Sequence, residues 1–257
     1  MELTTTQTLA DLNRRFYEDH ALAFADSRPR LYSGVKRILA LISPGARVLE
    51  LGCGDGKVAR ALAANSKIAA YLGLDLSPIM LDRARAGLPY PSGTIAPEAK
   101  RSGGGAEGWG FALADLTSPD WPRALPPQPF DWILAFAIFH HLPGFTARVQ
   151  ILRTLADHLA SGGTFVMSNW QFTRSKRLQQ RIVPWSALNL AEADVEPGDY
   201  LLSWERNNRR GLRYVHVLGE TEARQMAQAA GLIVVEVFRS DGVTDDLADY
   251  AQMRKSG

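Results

Sequence analysis

A single cysteine, Cys53, is all the thiol in 257 residues, so no disulfide can form within the chain and a cysteine-based metal site is excluded. Long apolar runs are missing too. No window approaches the roughly 18 apolar residues of a membrane span, and the first twenty residues lack a basic start followed by an apolar stretch, so a cytoplasmic protein without membrane contact is expected. Neither sign of charge dominates: 29 basic residues against 27 acidic ones leave +2, a total that identifies no partner until the charges are placed. There is no internal repeat and no compositional bias, since 46% hydrophobic and 22% charged residues match ordinary globular chains and exclude global disorder. A chain of this length suits one large α/β domain, or one domain with a small cap.

What is present is a β-α-β rhythm. Leu9, Leu12, Phe16 and Ala23 recur near helical spacing and predict an amphipathic helix over 6–25, with a second over 31–41. Pro44-Gly45 breaks the pattern, and the apolar run Val48 to Leu51 ends in the turn GCGDG, as a buried parallel strand should. Residues 57–64 read as a helix, 70–74 as a second strand, and Ser77-Pro78 as a cap and first-turn proline. Between Leu88 and Gly110 the Gly, Pro and Ser content predicts a surface loop. Strands follow at 111–114 and 132–137, then a helix over 146–159 and the strand-like TFVMSN. Periodicity lapses from Trp170 to Arg213. It returns in RYVHVL, in the helix-like ETEARQMAQAAG and in LIVVEVF, which suits a strand at a sheet edge. The expected organisation is N-terminal helices at 1–44, a ligand-binding core at 45–170, a substrate-side insertion at 171–213 and a return to the core sheet at 214–257.

Chemistry concentrates at strand ends. Gly52, Gly54 and Gly56 follow the first strand, where a missing Cβ lets the backbone turn sharply and approach a ligand. Their G-x-G-x-G spacing differs from the G-x-G-x-x-G of dinucleotide sites, so the ligand need not carry phosphate. Glu50, two residues before the first glycine, can attract a cationic group. Asp75 ends the second strand about 20 residues past the glycines, the spacing of a ribose-binding acid. Asp115 ends the third, where it can accept from an adenine amino group while Leu116 packs on the ring. Any one of these acids could be an ordinary cap or turn residue. Three at consecutive strand ends point to one ligand.

VLELGCGDG, YLGLDLS, FALADL and FDWILAFAIFHHLP together resemble the successive motifs of class I S-adenosylmethionine-dependent methyltransferases, over roughly residues 45–170. The resemblance implies an α/β fold of Rossmann-like type: a seven-stranded, mostly parallel sheet with helices on both faces and a small inserted cap. It also implies S-adenosylmethionine as cofactor, with Gly52, Cys53 and Gly54 at its methionine part, Asp75 and Leu76 at the ribose, Asp115 and Leu116 at the adenine, and Phe136 on the floor. No metal is expected. RFYEDHALAFADSR and NWQF, RIVPW and RYVHVL further resemble the tRNA wobble-uridine methyltransferases, which esterify a carboxymethyl group and can need an accessory protein.

A carboxylate acceptor needs alignment more than a base, and a guanidinium can hold it bidentately; Arg28, Arg181 and Arg213 are the candidates. A hydroxyl or amine acceptor would instead call for a base, and His140 or His141 beyond the fourth strand could serve. Tyr214 and His216 could be packed strand residues or catalytic ones. Arg174, Lys176, Arg177 and Arg181, with Arg206, Arg209, Arg210 and Arg213, would make an RNA-binding surface if the insertion gathers them on the acceptor side. Otherwise they are a solvated charge run and the acceptor is a small metabolite. A non-catalytic cofactor-binding module is the third reading, and a dinucleotide oxidoreductase is disfavoured by the glycine spacing.

Overall fold

The computed structural model describes residues 1–64, 68–88 and 108–255. The expected loop after Leu88 falls largely outside them. Five parallel strands run in the main sheet: β1 (Ala46–Leu51), β2 (Ile68–Asp75), β3 (Gly108–Leu113), β4 (Phe130–Phe136) and β5 (Leu159–Trp170). The last two strands, β9 (Leu232–Ser240) and β10 (Ala248–Lys255), complete the order β3-β2-β1-β4-β5-β10-β9, with β10 antiparallel to both its neighbours. Between them in sequence, β6 (Ile182–Val183), β7 (Asp199–Arg206) and β8 (Arg209–His216) make a separate three-stranded antiparallel sheet.

Strand alternation divides the apolar side chains between two layers. Leu49 and Leu51 of β1 face one way, with Ile133 of β4 and Phe165 of β5, against α5 (Phe145–Asp157) and α7 (Glu220–Ala229). Val48, Tyr71 and Leu134 face the other, against α2 (Ser33–Leu41), α3 (Lys57–Ala64) and α4 (Pro78–Ala86). Helices therefore cover both faces, as parallel strands require. No helix among the described residues is long and apolar enough to cross a membrane.

Two sequence expectations need correction. RYVHVL does not return to the main sheet: Tyr214, Val215 and His216 pair with Leu201, Tyr200 and Asp199 of β7. The boundary drawn at 213/214 thus cuts through β8. Asn207 and Asn208 both sit in the left-handed region, at φ 49° and 61°, which is what a tight hairpin turn demands. The seventh strand of the main sheet is instead Ala248–Lys255, whose sequence ADYAQMRK carries little apolar alternation and takes its place by pairing on both edges.

The longest helix, α1 (Leu3–Asp26), does more than cover the core. Leu9 packs with Trp185, Leu201 and Tyr214 in a third apolar cluster, and the buried Asn13 amide donates to the carbonyls of His141 and Tyr214 while its Oδ1 accepts the Tyr214 N–H. One residue thereby bridges the main body and the small sheet. At the centre of the main sheet, Ile133 is fully buried, so Ile133→Ala should lower unfolding free energy by about 2–5 kcal/mol, read as a shift of the denaturant midpoint; an unchanged midpoint would contradict the central place of β4.

Candidate active site

The carboxyl ends of β1 to β4 open into one cavity of about 570 Å³ whose other walls come from α1, the segment after it, α6 (Lys176–Gln179) with its following turn, and β8. All nine residues expected at the cofactor, from Glu50 to Phe136, line it, and so do Arg28, Arg181, Arg213, His140 and His141.

The glycine turn is built for close approach. Gly52 has φ 63°, and a Cβ there would lie 2.0 Å from Ile138 Cδ1. Gly54 has φ 53° with nothing within 4 Å of the position a Cβ would take, so its backbone faces open cavity. Asp75 locks this turn: one oxygen accepts the Gly54 N–H at 2.8 Å and the other the Ser77 N–H at 2.9 Å. Each oxygen retains acceptor capacity for a ligand hydroxyl. Burial nevertheless pushes its pKa up, against those backbone N–H groups.

Glu50 shares a face of the sheet with Tyr71, whose hydroxyl donates to its carboxylate. Gly73, its partner on β2, leaves the room that Cys53 fills, since a Cβ at Gly73 would meet Cys53 Sγ at 2.9 Å. Burial drives the Glu50 pKa up to about 8, opposed by Tyr71 and reinforced by Asp75 and Asp55. A buried acid of this kind prefers its neutral form until a cation arrives. Burial, with Asp75 and Glu50, also pushes the Cys53 thiol well up, which suits a small loop residue and not a nucleophile.

At the end of β3, Asp115 is tied more firmly than its sequence position suggests. Thr117 donates to Oδ1 through its N–H at 2.9 Å and its hydroxyl at 2.6 Å, and Arg14 Nε donates to Oδ2 at 2.9 Å. Sequence reading missed Arg14. It also missed Tyr17, whose hydroxyl lies 2.7 Å from His141 Nε2, and Asn13. Their one signal was polar residues set among the apolar positions of α1.

The paired histidines are buried and hydrogen-bonded at the cavity wall. His141 Nδ1 faces the Tyr214 carbonyl at 3.3 Å, which can only accept, so Nδ1 carries the proton and Nε2 accepts from Tyr17. His140 Nδ1 accepts the Trp170 N–H at 3.3 Å, which puts its proton on Nε2. Burial pushes His140 well down, helped by His141 and Arg213, and takes His141 to about 3, with Arg213 adding to the effect. Both rings are thus held toward the neutral form, with each lone pair facing a neighbouring N–H or O–H donor.

On the opposite wall the charges are positive. Arg213 is 2% exposed, its guanidinium within 5.0–5.7 Å of the Trp170, Phe24 and Phe16 rings, and its Nε has no hydrogen-bond partner among the described residues. Tyr17 sits beside it. Arg28 lies 3.7 Å over Phe24; burial lowers the Arg213 pKa, Tyr17 opposes it, and Arg28 and then Arg181 lower it further. None of the three is paired with a carboxylate among the described residues. The rest of the basic run disperses: Arg174 is held by Asp249 at 2.6 Å, and Arg206, Arg209 and Arg210 are exposed at the β7–β8 hairpin. Arg177 lines the cavity with Arg181 and Arg213.

The profile of a family described as a methyltransferase domain matches residues 23–237. Trans-aconitate 2-methyltransferase of Methylobacterium nodulans is 35% identical over 176 residues, 67% of this chain and 58% of that protein. A mouse (Mus musculus) protein named as a probable tRNA methyltransferase 9B is 26% identical over 173 residues, 66% of this chain and 32% of its own. The chain thus spans little more than half of the first relative and about a third of the second. Among solved structures, an S-adenosylmethionine-dependent methyltransferase from Methanosarcina mazei superposes with a TM-score of 0.61 at 17% identity, covering 88% of this chain and 98% of that one; at such identity the likeness is one of fold.

Because Glu50 keeps its proton in the folded state up to about pH 8 but loses it near 4.3 when unfolded, its contribution to stability is full below pH 4 and declines as pH rises to 8. Glu50→Gln should therefore melt progressively higher than the wild type between pH 5 and 8. Parallel melting curves across that interval would refute the elevated pKa.

Proposed function

We propose that this chain, which belongs to the methyltransferase-domain family, transfers the methyl group of S-adenosylmethionine to a carboxylate oxygen of a small anionic acceptor. The observation that carries the reading is Arg213: a buried guanidinium with an unpartnered Nε and no carboxylate of its own, facing the same cavity as Arg28 and Arg181. A buried charge left unpaired is costly, and an acceptor carboxylate would supply the missing partner in the bidentate geometry that guanidinium favours.

The two walls suit the two reactants. S-adenosylmethionine brings an electrophilic methyl group on a cationic sulfur. Glu50 would ionise beside that cation, Asp75 would accept from the ribose hydroxyls, and Asp115 and Leu116 would take the adenine edge and face, with Gly52, Cys53 and Gly54 along the methionine part and Phe136 beneath. Arg213, assisted by Arg28 and Arg181, would hold the acceptor carboxylate as an anion, one oxygen turned toward the methyl group. That oxygen is already nucleophilic, so rate comes from alignment and from excluding water, which α1 serves by roofing the cavity with Asn13 and Tyr17. Neutral His140 and His141 fit such a reaction, which has no proton to remove.

A small acceptor is favoured over tRNA by the enclosure of the arginines and the dispersal of the basic run, and the trans-aconitate methyltransferase relative points the same way. The second reading, a carboxymethyl group on tRNA wobble uridine with an accessory protein, keeps the same carboxylate chemistry. It draws support from the tRNA methyltransferase relative and from the exposed arginines of the β7–β8 hairpin.

Two variants separate the walls. Asp75→Ala should abolish S-adenosylmethionine binding in calorimetry with the melting temperature kept within a few degrees; retained affinity would end the ribose assignment. With a carboxylate acceptor such as trans-aconitate, Arg213→Gln should lower kcat/KM about 100-fold, the loss of one charge-assisted contact worth ~2–3 kcal/mol, and leave S-adenosylhomocysteine affinity within about twofold. Equal loss of both affinities would show that Arg213 supports the fold and not the acceptor.

A further inference from the structure

Strand β8 presents Arg213 to the cavity and turns Tyr214 and His216 the other way, into a buried cluster of charges. His216, 2% exposed, has Nδ1 at 2.7 Å from Asp199 Oδ1 and Nε2 at 2.6 Å from Glu222 Oε2. Asp199, on β7, also accepts the Tyr214 hydroxyl at 2.6 Å and the Glu196 N–H at 2.9 Å. Glu222, in the first turn of α7, shares Arg148 of α5 with Glu196, each at 2.8 Å, and Arg148, 1% exposed, donates in addition to the Leu142 carbonyl at 2.9 Å. The cluster fastens the small sheet to two helices of the main body.

Both nitrogens of His216 face carboxylate oxygens. Arg148 Nη2 also lies 3.4 Å from Nε2, but a neutral imidazole has one N–H and would still set its lone pair against a carboxylate at under 3 Å. The imidazolium satisfies both contacts, and with Arg148 it leaves two positive charges among three carboxylates. Glu196, Asp199 and His216 offer ligand atoms within 4.8 Å of one another, but Arg148 already supplies positive charge there. His140, held neutral, and the Tyr214 hydroxyl are the other titratable groups near the ring. Burial alone would lower the His216 pKa; the hydrogen bonds to Asp199 and Glu222 outweigh it, Arg148 opposes them, and the net direction is up. The ring's contribution is therefore complete below its unfolded value of about 6.5 and is lost as pH rises through the higher folded value. Other ties of β8 toward that side, the packing of Tyr214 with Leu9, the Asn13 bridge and the 3.3 Å contact of His141 with the Tyr214 carbonyl, are neutral.

We propose that His216 is a positioning residue for the acceptor: as an imidazolium it clamps β8 between Asp199 and Glu222 and so holds Arg213, three residues earlier on the strand, at the cavity, and loss of that one proton loosens β8 and weakens acceptor binding without disturbing the cofactor wall. Only the acceptor part of this inference rests on the proposed function. Glu222→Gln tests the mechanism, because an amide can donate to a neutral Nε2 and remove the need for the charge.

Nitrogen-15 NMR of the histidine rings should find His216 protonated on both nitrogens at pH 7 and titrating above the ordinary value. Amide hydrogen exchange over 209–216, corrected for its intrinsic pH dependence, should accelerate at least about tenfold as that ring deprotonates, and should not do so in Glu222→Gln. Over the same interval the affinity of the S-adenosylhomocysteine-loaded protein for trans-aconitate should fall about tenfold, while S-adenosylhomocysteine affinity stays within about twofold. A ring that is neutral at pH 7, or β8 exchange indifferent to its titration, overturns the clamp. Trans-aconitate that fails to bind the wild type at every pH rejects it as acceptor, and the ring and exchange measurements still decide the clamp on their own.

Discussion

A buried guanidinium with no carboxylate partner among the described residues sets the terms for one wall of the cavity. Arg213 costs free energy where it stands, and its surroundings are arranged to keep it there: three aromatic rings around it, the Tyr17 hydroxyl beside it, and Arg28 and Arg181 on the same wall. Acids at the ends of β1, β2 and β3 stand on the other wall. Basic and acidic side chains are thus gathered on opposite walls of one cavity, which a net charge of +2 conceals.

This separation follows from how the chain is folded. Parallel strands deliver Glu50, Asp75 and Asp115 to one edge because each ends where its β-α turn begins. Antiparallel β7 and β8 deliver Arg213 from outside the main sheet, and α1 spans the gap. Asn13 shows the economy of that arrangement: one buried amide ties the turn at His141 to the backbone of Tyr214, 201 residues away in sequence. The same helix places Arg14 on Asp115 and Tyr17 on His141, so the roof of the cavity is coupled to both walls.

That Glu50, Asp75 and Asp115 share one wall of a cavity was legible in the sequence, because these residues are contiguous with the strands that carry them. VLELGCGDG, YLGLDLS and FALADL each hold a strand, a turn and a cavity-lining acid within ten positions, and glycines at positive φ announce themselves by type. The acceptor wall was only partly legible. Arg28, Arg181 and Arg213 could be nominated, but which charges were buried, paired or exposed depended on contacts between distant segments, such as Asp249 taking Arg174 out of the basic run. RYVHVL was misplaced because alternation predicts a strand without naming its sheet, although the Asn207-Asn208 turn signalled a hairpin. Ala248–Lys255 was missed because its strand conformation comes from two antiparallel partners and not from its own residues.

The most direct measurement incubates the purified protein with tritiated S-adenosylmethionine and, separately, a pool of small carboxylic acids including trans-aconitate and bulk tRNA, then treats each product with mild base. Label transferred to a small acid and released as volatile methanol is the predicted result, since a methyl ester is the product of attack by a carboxylate. Label that resists base, in either fraction, would mean methylation at nitrogen, carbon or an ether oxygen and would contradict a carboxylate acceptor held by Arg213.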